Sequence, residues 1–346
     1  MSTVPIDMGA LRARLQRQLE GMYVIERELG GGGSSHVFLA TEVALDRSVV
    51  LKVLPPELSA DVDAERFRRE IQFAAKLQHP HLVPLLSAAV ATADGDRDQV
   101  RWYSMPYIEG HTLRQLLVRR GVPPYPEAIR LLREMALALS YAHARGVVHR
   151  DIKPENVLLN DGIAMISDFG VAKALDDASD AALRSGRRVT TVSTMLGTPN
   201  YMSPEQIGSA RVVDHRADLY AFGCVAYELL TGAPPFARPS LRATLAAQLS
   251  DPPVPIRQQR PELPPPIADI VMRCLAKNPA ERPASASWIV RAIEGASGAA
   301  ASDDVPVMTP GASTPTPVPA AVPTRTLMVG LAIALAAAAA LWMLLR

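Results

Sequence analysis

The sequence is poor in cysteine, has almost no net charge and lacks an apolar stretch near its N-terminus, and each shortage excludes a class of protein. The two cysteines, Cys224 and Cys274, lie in apolar stretches without metal-ligand spacing, so we expect reduced core residues of a cytosolic domain rather than disulfides or a zinc site. A formal net charge of +1 provides no overall field for nucleic acid. No long apolar core follows the first charged residues, so no signal peptide is predicted.

The composition is that of a globular protein with an unusual C-terminal part. Hydrophobic residues make up 48% and charged residues 21% of the 346 positions, enough chain for one large two-lobed domain or two ordinary ones. Near Ala296 the composition changes. Residues 295–326 are mainly alanine, serine, threonine and proline, with six prolines between Val305 and Thr326, and this composition predicts an extended linker.

The linker leads into an apolar run. Leu327 to Leu345 contains 19 uncharged residues, flanked by Arg325 and Arg346. As a helix this run would extend roughly 28 Å, close to the ~30 Å hydrocarbon thickness of a bilayer. We therefore predict a transmembrane helix over residues 327–345. The alternative is a buried alanine-rich helix that packs on the preceding domain.

The N-terminal part carries a helical pattern and then strand patterns. Leu11, Leu15 and Leu19 recur at helical spacing, which predicts an amphipathic helix within residues 1–22. That helix would pack on the domain, pair with a second copy of the chain or lie on a membrane surface, and packing is the simplest of the three. Tyr23 to Lys52 has the pattern of three strands with a glycine run in the first connection.

Helical patterns dominate the second half. A helix is expected over Asp63–Gln78 and a short strand over Trp102–Met105. Thr112 and Asp214 are predicted N-caps, and Pro126 is the predicted first residue of its helix. The remaining expected helices are Thr112–Arg119, Pro126–Arg145, Asp214–Thr231, Leu241–Leu249, Ile267–Ala276 and Ala284–Ile293.

One polar run carries the chemistry. His149-Arg150-Asp151-Ile152-Lys153-Pro154-Glu155-Asn156 is followed twelve residues later by Asp168-Phe169-Gly170. Asp151 can accept a proton, Lys153 can neutralise phosphate charge, and the side-chain oxygens of Asn156 and Asp168 suit a metal ion. Few chemistries need this set, and transfer of a phosphoryl group from a Mg-nucleotide to a hydroxyl is one of them.

This run resembles the catalytic and metal-binding loops of bacterial eukaryotic-like serine/threonine protein kinases. The resemblance implies an α+β bilobal fold over residues 23–294, with a small β-rich lobe (23–104), a hinge (105–110) and a larger helical lobe (111–294). It also implies ATP and Mg²⁺, with Mn²⁺ as the alternative metal. Asp151 would be the catalytic base, Lys153 would neutralise the γ-phosphoryl group, and Asn156 and Asp168 would hold the metal. Lysine at position 153 is typical of Ser/Thr rather than tyrosine specificity in the family.

The small lobe resembles a kinase nucleotide cradle. Its glycine-rich loop departs from the family pattern at Ser35, which replaces the third glycine; the loop comprises Leu29, Gly30, Gly31, Gly32, Gly33, Ser34, Ser35, His36 and Val37. Lys52 would contact the α- and β-phosphates, paired with Glu70, for which Glu65 is the competitor. In the hinge, Met105 would lie beside adenine, Pro106 would offer its carbonyl and Ile108 its N–H. Leu158 would pack under the base.

A segment resembling the end of a kinase activation segment spans Gly197 to Glu205. The resemblance implies that Glu205 pairs with Arg282 and that Asp218 anchors the catalytic loop. Arg150 would form part of a basic pocket for a phosphate. We therefore expect autophosphorylation of the activation loop, at one of Thr190, Thr191, Ser193 and Thr194.

These features predict a membrane-anchored serine/threonine protein kinase whose kinase domain faces the cytosol and whose partners are proteins with Ser/Thr hydroxyls, with homodimerisation left open and no nucleic-acid partner. No extracellular sensor domain is expected. Two other functions are the alternatives. An ATP-binding pseudokinase scaffold is favoured only by the departures from the family pattern at Ser35 and at Val50, which stands where the family usually has alanine. A soluble small-molecule phosphotransferase is opposed by residues 197–205 and 327–345.

Overall fold

The computed structural model describes residues 8–32, 35–54, 69, 71–91, 100–169, 199–208 and 213–302. The chain divides into two compact units, residues 1–302 and 303–346, and every described residue belongs to the first. The predicted transmembrane helix at 327–345 lies outside the described residues. Among the helices that are described, none is long and apolar enough to cross a bilayer.

The small lobe is a five-stranded antiparallel sheet in the order β1-β2-β3-β5-β4. Its strands are β1 (Tyr23–Gly32), β2 (Ser35–Glu42), β3 (Arg47–Val53), β4 (Ser87–Ala91) and β5 (Val100–Pro106). On β3, Val49, Leu51 and Val53 are fully buried on one face, while Val50 and Lys52 point to the other. The alternation divides the sheet into a core face and a face toward the large lobe.

The N-terminal helix α1 (Met8–Gln18) covers the core face. Leu15 and Leu19 are fully buried in one apolar cluster with Leu51 and Trp102. Gln16 joins the edge strand β1, because its amide donates to Tyr23 O at 2.9 Å and accepts from Ile25 N at 2.7 Å. Of the three roles considered for this helix, packing on the domain is the one observed.

The large lobe is mainly helical. Its helices are α2 (Leu113–Arg120), α3 (Tyr125–His143), α4 (Pro204–Ile207), α5 (Arg216–Thr231), α6 (Leu241–Ser250), α7 (Ile256–Gln259), α8 (Pro265–Cys274) and α9 (Ala286–Ser302). Nearly every residue of α5 is buried, which makes it the central helix of the lobe. Cys224 on α5 and Cys274 at the end of α8 are both free and buried, as expected, and burial raises the pKa of each thiol.

Several predicted helix boundaries differ from the observed ones. Thr112 caps α2 as predicted, in a reciprocal capping box with Gln115. Pro126 is the second rather than the first residue of α3. The N-cap of α5 is His215, although the Asp214 carboxylate does accept a hydrogen bond from Arg216 N at 2.8 Å. Helix α9 continues to Ser302, so residues 295–302, predicted as linker, are helical because alanine-rich sequence favours a helix.

A small three-stranded sheet, absent from the sequence-based prediction, lies at the start of the large lobe. It consists of β6 (His111–Thr112), β7 (Val157–Asn160) and β8 (Ile163–Ile166). Strands β7 and β8 form a hairpin in which Val157 pairs with Ile166. The hairpin places the residues before β7 next to those after β8, which are the two halves of the polar motif.

Candidate active site

The catalytic loop, residues 149–156, is anchored on the buried helix α5. Asp218 Oδ2 accepts a hydrogen bond from His149 N at 2.8 Å, and Oδ1 accepts one from Arg150 N at 2.7 Å. Arg150 has a φ of 69°, a left-handed conformation that a non-glycine residue holds only with such support. Burial would raise the pKa of Asp218, but His143 and His149 outweigh burial and lower it. The predicted anchoring role of Asp218 is confirmed.

His149 joins the catalytic loop to the residues after β8. Its Nδ1 accepts from Asp151 N at 3.1 Å, so Nε2 carries the proton that is donated to Ser167 O at 2.7 Å. The ring also contacts Phe169 edge-on, with centroids 4.5 Å apart. His149 is fully buried, and it therefore contacts the backbone of the residue before Asp168 and the side chain of the residue after it.

Asp151, Lys153 and Asn156 are interlocked on the loop. Asp151 Oδ2 accepts hydrogen bonds from Lys153 Nζ at 2.6 Å and from Asn156 Nδ2 at 3.0 Å. Asn156 Nδ2 also donates to Asp151 O at 2.7 Å. The Asp151 side chain is 44% exposed, so it remains accessible from the cleft. The three predicted catalytic residues are thus brought together with Asp151 at the surface.

Asp168 receives donors from two strands of the small lobe. Lys52 Nζ lies 2.8 Å from Oδ2, and the Tyr103 hydroxyl donates to Oδ1 at 2.8 Å. Ser167 Oγ lies 3.2 Å from Oδ2. Burial alone would raise the pKa of the Asp168 carboxyl. The charge of the Lys52 ammonium and the hydrogen bonds from Lys52 and Tyr103 outweigh burial and lower this pKa to about 2. Burial and the nearby Asp168 raise the pKa of Tyr103 well above its ordinary value, so the phenol stays protonated.

An apolar cleft separates the two lobes. Val50 on β3 pairs directly with Met105 on β5, and both pack with Val83. The cluster is completed by partly buried side chains from both lobes, namely Val37, Tyr107, Ile108, Leu158 and Met165. The predicted base-contacting residues Met105, Ile108 and Leu158 therefore meet in one place. Val50 from the small lobe and Leu158 from the large lobe belong to the same cluster.

The glycine-rich strand pair and the hinge enclose this cleft. The paired residues of β1 and β2 extend as far as Gly32 and Ser35. Gly30 has a φ of 151°, a backbone angle that residues with a side chain rarely adopt. In the hinge, Gly110 has a φ of 144°, and a Cβ there would lie 2.0 Å from Leu159 O. Only glycine lets the chain pass this close to β7.

A four-way contact at Arg114 joins distant segments of the large lobe. Arg114 Nε donates to Glu155 Oε1 at 2.8 Å, and Nη1 donates to Glu228 Oε1 at 2.6 Å. Arg114 Nη2 also donates to the Tyr201 hydroxyl, which donates to Glu228. Burial would lower the pKa of Arg114, but the hydrogen bonds to Glu228 and Glu155 raise it. The guanidinium links α2, the catalytic loop, residues 199–201 and α5.

A second ion pair holds the segment that ends at α4. Arg282 Nη1 donates to Glu205 Oε1 at 2.6 Å, and Nη2 donates to Oε2 at 2.8 Å. This is the predicted pair, and its geometry is bidentate.

A family model for the protein kinase domain matches residues 23–292. The chain belongs to the protein kinase family. Serine/threonine-protein kinase pkn3 of Myxococcus xanthus is 37% identical over 272 residues, covering 76% of this chain and 48% of that protein. Serine/threonine-protein kinase PknD of Mycobacterium tuberculosis is 39% identical over 265 residues, covering 76% of this chain and 38% of that protein. The chain spans less than half the length of these curated relatives.

Among solved structures, the PknI kinase domain of Mycobacterium tuberculosis is similar, with a TM-score of 0.60 and 29% sequence identity. The match covers 80% of this chain and 96% of that one. The bilobal kinase fold predicted from the sequence is therefore confirmed.

Some predicted residues of the kinase domain fall outside the described ranges. These are Gly33 and Ser34 of the glycine-rich loop, Glu70, and the phosphorylation candidates Thr190, Thr191, Ser193 and Thr194. Of the predicted helix Asp63–Gln78, residue 69 and residues 71–74 are helical in the described part, and residues 75–78 are not. Arg150, the predicted phosphate contact, here donates through Nη2 to Val213 O at 3.4 Å.

The residues of the kinase site that sequence reasoning missed include Tyr103, Val83, Tyr107 and Met165. Tyr103 lies two residues before Met105 on the same face of β5, so strand alternation was a usable signal for it. Val83 and Met165 carried no comparable signal. No cluster of three or more His, Cys, Asp or Glu side chains suited to a metal occurs in the described ranges.

Proposed function

We propose that this chain is a serine/threonine protein kinase that transfers the γ-phosphoryl group of ATP to hydroxyls of proteins. The observation that carries the proposal is the interlocked set Asp151, Lys153 and Asn156, which lies on a loop joined through His149 to the Lys52–Asp168 pair. The names of the relatives support Ser/Thr specificity, since each is called a serine/threonine-protein kinase.

The residues present fit Mg²⁺ and a nucleotide. Asp168 would offer carboxylate oxygens, and Asn156 would offer Oδ1, because both of its recorded side-chain hydrogen bonds use Nδ2. Within the described ranges the N–H of Ile108 donates to no protein group, so it is available to a base. Held by Asp168 and Asn156, Mg²⁺ would supply positive charge that neutralises the phosphates.

The residues of the chain would then orient the reacting groups. Asp151 Oδ2 already accepts from Lys153 and Asn156, which leaves Oδ1 to accept the proton of the incoming hydroxyl. The Lys153 ammonium beside it would stabilise negative charge on the transferred group. Since such transition states are loose, positioning and charge contribute more than the basicity of Asp151.

The direct test uses the full chain with ATP, Mg²⁺ and a basic protein substrate. Asp151→Asn should lower phosphate transfer by about 100-fold or more, because it removes the proton acceptor without changing side-chain size. The control is Asp161→Asn, which alters an exposed aspartate in the β7–β8 turn and should transfer at the wild-type rate.

Three outcomes oppose the proposal. ATP binding without transfer by the wild type would identify a pseudokinase scaffold. Transfer only to small molecules would identify a small-molecule phosphotransferase. Equal transfer rates for Asp151→Asn and wild type would show that Asp151 has no catalytic role.

We extend the proposal to activation by autophosphorylation at Thr190, Thr191, Ser193 or Thr194. Phosphopeptide mass spectrometry of wild type and Asp151→Asn would locate the sites. The variant with all four residues changed to alanine should lose most of its activity, and full activity would oppose the idea. A specific rate that rises with protein concentration would indicate transfer within a homodimer.

We also propose that residues 327–345 anchor the chain in the cell membrane, with the kinase domain on the cytosolic side. The support is the 19-residue uncharged run between Arg325 and Arg346. The full chain should remain in the membrane pellet after alkaline carbonate extraction. Leu335→Lys, near the middle of the run, should release it, whereas Ala300→Lys should not; release of the wild type would oppose the anchor.

A further inference from the structure

Lys52 and Tyr103 occupy directly opposite positions on the paired strands β3 and β5. Both side chains point to the face of the sheet that meets the large lobe, and they reach different oxygens of one carboxylate. Lys52 Nζ lies 2.8 Å from Asp168 Oδ2, and the Tyr103 hydroxyl lies 2.8 Å from Oδ1. The two strands therefore hold Asp168 at both of its oxygens.

We infer that Tyr103 is a positioning residue for the metal ligand Asp168, whose hydroxyl fixes Oδ1 in the orientation that receives Mg²⁺. The inference rests on the proposed function, because it deepens the role of the same site.

The other donors to Asp168 have competing duties. Lys52 would be shared with the α- and β-phosphates once a nucleotide binds. Ser167 has one hydroxyl proton, and its Oγ lies 3.3 Å from Asn156 O as well as 3.2 Å from Asp168 Oδ2. Tyr103 is 1% exposed, and its hydroxyl has no other partner among the described residues. It is thus the donor that remains in place when Lys52 turns to the phosphates.

The backbone of Asp168 makes this support necessary. Asp168 has a φ of 68°, a left-handed conformation that few non-glycine residues adopt. A carboxylate oxygen has two lone pairs, so one hydrogen bond from Tyr103 leaves Oδ1 a second lone pair for a metal ion. The hydroxyl orients the ligand without occupying it.

The test measures ATP binding to the full chain by calorimetry, once with saturating Mg²⁺ and once in EDTA. Tyr103→Phe removes the hydroxyl and keeps the buried ring. We expect the gain in ATP affinity that Mg²⁺ provides to fall by about tenfold, the scale of one hydrogen bond to a charged group. ATP affinity in EDTA should change by less than about twofold, and the Mg²⁺ concentration for half-maximal transfer should rise by a similar tenfold.

The matched control is Tyr23→Phe. Tyr23 also has a buried ring in the small lobe, and its hydroxyl lies 3.3 Å from Ser104 Oγ, on the other face of β5 from Tyr103. Loss of the Tyr23 hydroxyl should leave the Mg²⁺ dependence of ATP binding unchanged. Thermal unfolding of both variants checks that the small lobe is intact. The inference is supported if the unfolding temperature shifts equally in both variants and the Mg²⁺ dependence changes only in Tyr103→Phe.

Two results would overturn it. One is wild-type Mg²⁺ dependence in Tyr103→Phe, and the other is tighter Mg²⁺ binding, which would mean that the hydroxyl competes with the metal. Both differ from failure of the proposed function, in which the wild type itself shows no Mg²⁺-dependent ATP binding or phosphate transfer.

Discussion

The guanidinium of Arg282 and the carboxylate of Glu205 form two parallel hydrogen bonds of 2.6 and 2.8 Å. The Arg282 side chain is fully buried and that of Glu205 is 12% exposed. A carboxylate that is shielded from water and loses its cationic partner destabilises the fold, because its lost hydration is no longer compensated. We therefore expect the contact with Arg282 to stabilise the end of the segment that contains Glu205.

Arg282→Met should therefore destabilise the kinase domain by about 3–5 kcal/mol, because Glu205 is left buried and unpaired. Urea unfolding of the two proteins measures the difference. The control is Arg133→Met, which breaks a pair with Glu294 in which both side chains are 45% exposed. Such a surface pair contributes about 0–1 kcal/mol, so equal losses in the two variants would contradict the argument.

Asp218→Asn should disturb the catalytic loop at its anchor. One of the two backbone amides, His149 N or Arg150 N, loses a charged acceptor, and we expect a loss of about 2–3 kcal/mol in unfolding free energy. A shift of the loop by about 1 Å would lower phosphate transfer by roughly 100-fold. Asp269→Asn, at an exposed position of α8, should change neither quantity.

The same variant gives a test by pH. Because the pKa of Asp218 is lowered in the folded state, its stabilising contribution is present above the unfolded value, about pH 4, and is lost as pH falls through the folded value. The stability difference between wild type and Asp218→Asn should be constant from about pH 5 to 7 and shrink below about pH 4. A difference that grows on acidification would mean that the sign is wrong.

Leu15→Ala tests the contribution of α1 to the small lobe. Leu15 is fully buried beneath the sheet, so truncation leaves a cavity and should cost about 2–5 kcal/mol. Thermal or urea unfolding measures the loss. Val118→Ala, at a side chain that is 76% exposed, should stay within about 0.5 kcal/mol of wild type. A neutral Leu15→Ala would show that α1 is dispensable to the lobe.

Gly110→Ala tests the close approach of the hinge to β7. A Cβ at this position would lie 2.0 Å from Leu159 O, a backbone atom that cannot turn away, so we expect about 3–5 kcal/mol of destabilisation and weaker ATP binding. Gly121→Ala also carries a conformational penalty, since Gly121 has a φ of 69° and a ψ of −149°, but a Cβ there would meet nothing within 4 Å. That control should cost only about 1–3 kcal/mol and leave ATP binding unchanged.

The sequence alone allowed the prediction of contacts within one loop and of pairs that the family resemblance names. Asp151, Lys153 and Asn156 lie within six residues, so their proximity follows from covalent connection. The pair of Glu205 and Arg282 and the anchor at Asp218 came from the resemblance, and both are present. The fold class and the order of the lobes also came from the resemblance, and the change from strand to helix periodicity along the chain agrees with them.

The features that could not be predicted from the sequence depend on the register of strand pairing, on the shortness of some strands and on the surroundings of alanine-rich segments. The contact between Tyr103 and Asp168 joins residues 65 positions apart and requires the strand pairing that sets Tyr103 opposite Lys52. Strands β6, β7 and β8 have two to four residues each, too few for a periodic signal. Helix α9 runs past the predicted boundary at residue 294 because alanine is common to both linkers and helices.

The contacts of Arg114 have a consequence for motion. One guanidinium bonds to Glu155, Tyr201 and Glu228, which belong to three segments far apart in sequence. None of these segments can open without breaking a charged hydrogen bond that the others share. This part of the large lobe is therefore expected to open as a single cooperative unit, with amide hydrogens in α2, the catalytic loop and α5 exchanging together rather than one segment at a time.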